Sequence, residues 1–294
     1  MKKNVISILS CILASIFIFI GCTINMLDKE GQTASSQNEF YMTVLEYGIE
    51  DNPSMADLFS TPDSLLHLKN MNKLLHEKFD YFELGFQSLF YVGTYDKPEK
   101  FTSSFDSTQG TNINYEIPLP DGTSMYVTDL KTIQLGEKLY KEFEDNILLG
   151  ENFCAEDFSV NTSDAVIPVI LGYEYLQYYQ TGDMLMLSLH EKPLTFKVIG
   201  FYQENTAFQF ETSNISLDQC IVMPFYNILY APTNDCEDSY QKIFYTQKNE
   251  GYIQIPETAT QNEFRDTALE ILHLLAQQEN LLFTLPLSPT KINF

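Results

Sequence analysis

The sequence predicts an α+β protein: an N-terminal membrane helix, then a β-α-β domain split in two by a long β-rich insertion. Three observations predict it. An uncharged apolar run opens the chain, and a β-α-β pattern follows it. A second β-α-β pattern closes the chain. Between them the pattern changes to short alternating runs separated by turn signals. The 294 residues suit one large or two modest domains, and at 44% hydrophobic they can bury a core.

The opening run is "MKKNVISILSCILASIFIFIGCTINM". Lys2 and Lys3 precede apolar residues from Val5 to Gly21, and no further charge appears until Asp28. About 20 apolar residues cross a bilayer core, and flanking lysines favour a cytoplasmic N-terminus. An uncleaved anchor attached through residues 4–26 is one reading. A lipoprotein signal is another, because "FIGC" places Gly21 before Cys22, the residue that lipidation would modify after cleavage. Ordinary secretion is a third, but no small-x-small cleavage site follows the apolar core. The first two attach the remainder to the outer face of a membrane. Residues 27–39 are small, polar and aperiodic, and read as a linker.

"FYMTVLEYG", residues 40–48, alternates as a strand does. Thr61-Pro62-Asp63 is a helix-start signal, with Thr61 as N-cap and Pro62 at the first helical position. Leu65, Leu68, Met71, Leu75 and Phe79 follow near helical spacing, and "FELGFQSLFYVG", residues 82–93, reads as a strand again. The end of the chain repeats the order: "GYIQIP", a helix from Thr260 to about Gln278, and "LLFTLPL", residues 281–287. Two such units from opposite ends can pair into one sheet with helices on one face. The expected organisation is 1–26 as anchor or signal, 27–39 as linker, 40–94 and 249–288 as the split subdomain, and 95–248 as the insertion.

The insertion holds a Pro-Asp-Gly turn, a short helix before Gly150, a buried strand in "AVIPVILG", and two alternating strands in "TGDMLMLSLHEKPLTFKVIGFY". His190-Glu191 stands between those two strands and reads as an exposed hairpin tip rather than an acid–base or metal site. "NDCEDS", residues 234–239, reads as an acidic solvated loop, since no bidentate Glu follows at the distance a calcium loop requires.

Net charge is −23, spread along the chain. Such a surface repels phosphate backbones, so nucleic acid is excluded as a partner. Of the five cysteines, Cys11 and Cys22 lie in the apolar run. Cys154, Cys220 and Cys236 form neither a disulfide framework nor a zinc spacing, although one bridge from Cys220 to Cys236 is conceivable. Phosphate-loop, G-x-S-x-G, H-E-x-x-H and S-x-x-K motifs are absent. His67 and His76 are nine residues apart on one helix and do not face one ion. The expectation is a non-catalytic protein with no cofactor and no metal.

The block from Gly150 to Phe201 has a recognisable order. Gly150, Phe153 and Asp157 lie in "GENFCAEDF"; Pro168 to Gly172 form "PVILG"; Gly182-Asp183 lead into "MLML"; Phe196 and Val198 to Gly200 form "F-x-VIG". This order resembles the extracytoplasmic core domain of macrolide-exporter-type (MacB/FtsX-like) ABC transporter permeases. The resemblance implies a porter-like α+β subdomain interrupted by a β-rich one. It implies mechanical coupling to an ABC ATPase subunit and to other permease membrane segments, in export or signalling, with the bulk extracytoplasmic. Turn geometry accounts for the motif glycines: Gly182 for the turn into a strand, Asp183 to close it, Gly200 to end the next strand. Permeases of that family continue with further membrane helices, whereas "LPLSPTKINF" offers none. The expectation is therefore a truncated, split or stand-alone relative. The alternative is an independent surface lipoprotein, or a module that binds a ligand or peptide through the aromatic-rich middle region.

Overall fold

The structure, a computed structural model, describes residues 38–46, 54–103, 113–119 and 122–293. The apolar N-terminal run, Cys22 and most of the linker lie outside the described residues. Among the described residues no helix is long and apolar enough to cross a membrane.

In chain order the elements are β1 (Asn38–Met42), α1 (Met55–Ser60), α2 (Ser64–Lys78), β2 (Tyr81–Phe82), β3 (Leu84–Gly85), β4 (Leu89–Val92), β5 (Tyr115–Pro118) and β6 (Ser124–Leu130). Then come β7 (Thr132–Leu135), α3 (Glu137–Tyr140), β8 (Ile147–Gly150), β9 (Val166–Leu171), β10 (Met184–Leu189), β11 (Lys192–Tyr202), β12 (Ala207–Phe210) and β13 (Ser213–Ser216). The chain closes with β14 (Ile221–Pro224), α4 (Asp235–Lys248), β15 (Tyr252–Gln254), α5 (Gln261–Gln278) and β16 (Thr290–Asn293). The class is mixed α+β, as the sequence predicts.

Two sheets dominate. The first runs β13-β12-β16-β1-β15-β2, every neighbouring pair antiparallel. Its middle is the interleaved order of two split β-α-β units: β1 and β2 come from one end of the chain, β15 and β16 from the other. The second is mixed, running β3-β7-β14-β9-β11-β10-β4-β6-β5, with β8 pairing β11. Side-chain alternation gives the first sheet two buried faces. Tyr41, Tyr81 and Ile253 point to a core shared with α2 and α5. Their neighbours Phe40, Phe82 and Tyr252 point to a second core, which holds Ile133, Leu135, Ile170 and Val222 of the second sheet. Each side chain this buried contributes on the order of 1.5–3 kcal/mol.

Several local expectations need correction. Thr61 does not start the first long helix. Ser54 and Asp57 form a capping box that starts a separate α1, and Thr61 closes it by donating to the Leu58 carbonyl; α2 begins after Asp63, which takes a left-handed conformation (φ 60°). The run 82–93 is three short strands, because the chain leaves one sheet for the other at Glu83. "NDCEDS" opens α4 rather than a loop. Asn234 accepts from the Glu237 N–H at 3.0 Å, and Asp235, Glu237 and Asp238 favour the positive end of the helix. Of residues 281–287 only Phe283–Thr284 pair, with Val44–Leu45; the outer strand of the β-α-β pair is β16, beyond the expected boundary. Cys154, Cys220 and Cys236 are all free thiols, so the conceivable bridge does not form. Finally, the β12–β13 hairpin, read as part of the insertion, extends the first sheet beside β16.

Gly200 does not end its strand; β11 continues to Tyr202, and Gly200 lies opposite Gly150 of β8. A Cβ on Gly150 would sit 2.1 Å from the Ile199 carbonyl oxygen, and its φ is +92°. Gly182 is also left-handed, at +97°, but opens into empty space. Gly182→Ala should therefore cost about 1 kcal/mol, from backbone strain alone. Gly150→Ala should cost well over 2 kcal/mol, because strain and a backbone clash coincide. Urea unfolding of the two variants tests this; equal losses would contradict the close approach of β8 and β11.

Candidate functional site

The chain passes between the sheets at two places that matter most. It leaves the first sheet at Glu83, the single residue between β2 and β3. It returns through Lys248 to Gly251, between α4 and β15. The two passages meet. Glu83 and Lys248 are 5% and 1% exposed, and Lys248 Nζ lies 2.7 Å from Glu83 Oε2. Lys248 also donates to the Phe225 carbonyl just after β14. On the other carboxylate oxygen, Asn72 Nδ2 donates at 3.1 Å and His76 Nε2 sits at 2.9 Å, both from α2. Burial alone would raise the Glu83 carboxyl. The Lys248 charge and the His76 hydrogen bond outweigh it and hold the group at about 2, so Glu83 is ionised at neutral pH.

Further polar contacts fix the return passage. Tyr81 donates to the Lys248 carbonyl at 3.0 Å and accepts from the Gly251 N–H at 2.6 Å. Thr43 donates to the Asn249 carbonyl at 2.6 Å, and Asn249 donates to the Leu68 carbonyl at 2.9 Å. The junction thus ties β1, α2, both sheets and the end of α4 to one carboxylate–ammonium pair.

The hairpin between β10 and β11 docks on the same helix. His190 and Glu191 form its two-residue turn, both with positive φ (50° and 67°). The tip is not free in solvent as expected. His190 Nε2 donates to Gln247 Oε1 at 2.8 Å, and its ring lies against Tyr240. Burial lowers the His190 pKa to about 4, so the ring is neutral. Next to it Lys192 pairs with Glu237 at 2.9 Å, and Glu237 also accepts from Tyr230 at 2.6 Å and Ser163 at 2.9 Å. Lys192 Nζ also donates to Ser163 Oγ at 3.2 Å. These contacts hold the hairpin tip against α4.

The motif residues cluster around β11 without forming a polar site. Phe196 and Val198 are fully buried in the first core. Pro168 lies on β9 beside Lys197, and Gly150 faces Gly200. Gly182 donates to the Val198 carbonyl at 2.7 Å, while Asp183 accepts from the Gln180 N–H at 2.9 Å and closes that turn. Gly172 lies where a Cβ would meet the Leu217 carbonyl oxygen at 2.0 Å. Phe153 packs on Tyr140 in the second core, and Asp157 accepts from the Cys154 N–H at 2.8 Å. Sequence reasoning missed Glu83, Lys248 and Glu237. Among the described residues no three His, Cys, Asp or Glu side chains are grouped to hold a metal ion.

Two tests follow from the junction. Lys248→Met strands a buried charge, and urea unfolding should show a loss of about 3–5 kcal/mol. Adding Glu83→Gln should recover part of it; a double variant as unstable as the two singles combined would contradict the pairing. The pH dependence has a definite sign. His190 is depressed when folded, so its contribution is intact above pH 6.5 and lost toward 4. Glu83 is depressed below its ordinary 4.5, so its contribution is intact above 4.5 and lost toward 2. The urea midpoint should fall in those two stages, and His190→Gln should abolish the first. An unchanged first stage in that variant would contradict the docking of the tip.

No protein-family model and no curated protein sequence matches the chain. Solved structures do. The extracellular domain of the noncanonic ABC-type transporter YknZ from Gram-positive bacteria is similar at 11% identity and a TM-score of 0.41, over 84% of this chain and 99% of that one. The periplasmic region of MacB from Actinobacillus actinomycetemcomitans is similar at 11% identity and a TM-score of 0.36, over 84% of this chain and 88% of that one.

Proposed function

We propose that the chain is the extracytoplasmic, non-catalytic domain of a MacB/FtsX-like ABC permease. In this reading residues 4–26 hold it on the membrane, and it moves with an ABC ATPase and partner membrane helices during export or signalling. The observation that carries the reading is the arrangement of the first sheet. β1 and β16 are antiparallel neighbours, with Asn38 opposite Ile292, so the chain enters and leaves this sheet at one end. A sheet entered and left at one end is suited to standing on a membrane, with the second sheet held away from it through the junction. The order of motifs from Gly150 to Gly200 supports the same reading, in which the first sheet with its helices is the porter-like part and the second sheet the inserted one.

Expression of the full chain in a native membrane, crosslinking, and mass spectrometry of what co-purifies test the proposal. We expect a cytoplasmic ABC ATPase and a protein with several membrane spans, with residues 1–26 intact. Recovery of the chain alone, cleaved before a diacylated Cys22, would overturn it in favour of an independent surface lipoprotein.

A further inference from the structure

The ladder between β10 and β4 stops after one pair. β10 is paired with β11 along all six of its residues and β4 with β6 along all four, yet β10 and β4 meet only at Ser188–Phe90. The unused edges can be assigned residue by residue, because an antiparallel strand bonds one neighbour through alternate residues and the other neighbour through the rest. The Val198 N–H donates to the Asp183 carbonyl at 2.9 Å, so the backbones of Asp183, Leu185 and Leu187 serve β11. Those of Met184, Met186 and Ser188 point toward β4. In the same way the Gly93 N–H, which donates to the Tyr126 carbonyl at 2.8 Å, puts Tyr91 and Gly93 on β6 and turns Phe90 and Val92 toward β10. After Ser188–Phe90 the next pair in register would be Met186–Val92, and it is absent. The N–H and C=O groups of Met184, Met186 and Val92 thus form two open edges that face each other.

A cleft of about 240 Å³ lies between these edges. Met184, Leu185, Met186 and Leu187 line one side of it, and Tyr91 and Val92 the other. Consecutive residues of a strand point to opposite faces. Lining by four in a row therefore means that the strand's edge, and not one of its faces, borders the space. Met184, Met186 and Val92 are 51%, 66% and 49% exposed, so the edge is open to solvent. Proteins blunt such edges with charge, proline or a bulge. Met184–Leu187 carries neither charge nor proline, and its register with β11 is unbroken.

We propose that this edge docks an extended, uncharged segment of a partner protein, which adds to β10 as a further strand. The guest's backbone would pair with Met184 and Met186, so main-chain hydrogen bonds supply the recognition. Its side chains would alternate between the exposed rim of Met184, Met186 and Val92 and the inner side of the cleft, a half-buried pleat that suits β-branched residues. A guest without charge matches a cleft that no charged side chain lines. The proposal does not depend on the permease reading, because it concerns a surface of the chain itself.

The test titrates the peptide acetyl-Ser-Thr-Val-Thr-Val-Thr-Ser-amide calorimetrically into the full chain in phosphatidylcholine nanodiscs, with empty discs as blank. We expect saturable binding with a Kd below about 1 mM. The same peptide N-methylated at every valine and threonine cannot donate there, and should bind at least about tenfold more weakly. This arm uses the unaltered protein, so it decides even where a variant folds poorly. Met186→Pro removes an N–H that faces the cleft and no bond of the β10–β11 ladder, and should also weaken binding about tenfold or more. Met186→Thr keeps that N–H and should bind within about threefold of the parent. No saturable binding at millimolar peptide, or equal binding of the N-methylated form, would overturn the proposal. So would a loss in Met186→Thr as large as in Met186→Pro, because the thioether and not the backbone would then be read. Native mass spectrometry that finds two chains joined in the parent and released by Met186→Pro would overturn it in favour of a second copy on this edge.

Discussion

One carboxylate–ammonium pair holds this molecule's two sheets in register with each other. Glu83 and Lys248 are 165 residues apart in the chain, yet each stands where the backbone passes from one sheet to the other. A buried ion pair is weak evidence for stability in general, because desolvating two charges offsets most of their attraction. Here its geometry is unusually complete: Asn72 and His76 occupy the second carboxylate oxygen, and Phe225 supplies Lys248 with a carbonyl. A pair that satisfied specifies position as much as it adds stability, since apolar side chains would tolerate many relative placements of the two passages.

The cores on either side depend on that placement. Alternation sends Tyr41, Tyr81 and Ile253 to one side of the first sheet and Phe40, Phe82 and Tyr252 to the other. The second side is covered by side chains of the second sheet, by Leu139 and Tyr140 of the short α3 and by Phe143. A shift of the junction would therefore uncover one face of the first sheet. The β12–β13 hairpin, which belongs to the insertion by sequence but to the first sheet by pairing, is a further tie between the two.

Period and propensity made the broad architecture readable. Leu65, Leu68, Met71 and Leu75 gave α2, Phe264, Ala268, Leu272 and Leu275 gave α5, and β10 and β11 alternate visibly. What was not readable has a common physical origin in long-range pairing. Residues 82–93 look like one strand, because nothing local records that Glu83 changes sheets. α4 was hidden because its first turn is acidic, although Asn234 three residues before Glu237, with Tyr240 and Phe244 following at helical spacing, carried the signal. His190 looked solvated because its partner Gln247 is 57 residues away. Glu83 and Lys248 are single charged residues in a chain rich in acid, and only burial distinguishes them. The motif glycines were legible as turn and close-approach positions, but the Gly150–Gly200 contact required the ladder that brings them together.

The central claim is that the junction couples the two sheets rather than merely stabilising one of them. Native-state hydrogen exchange on Lys248→Met, followed amide by amide, tests it most directly. The account predicts that β2 and β15 of the first sheet and β3 and β14 of the second lose protection together, by similar free energies. Loss confined to one sheet, with the other exchanging as in the parent protein, would contradict it.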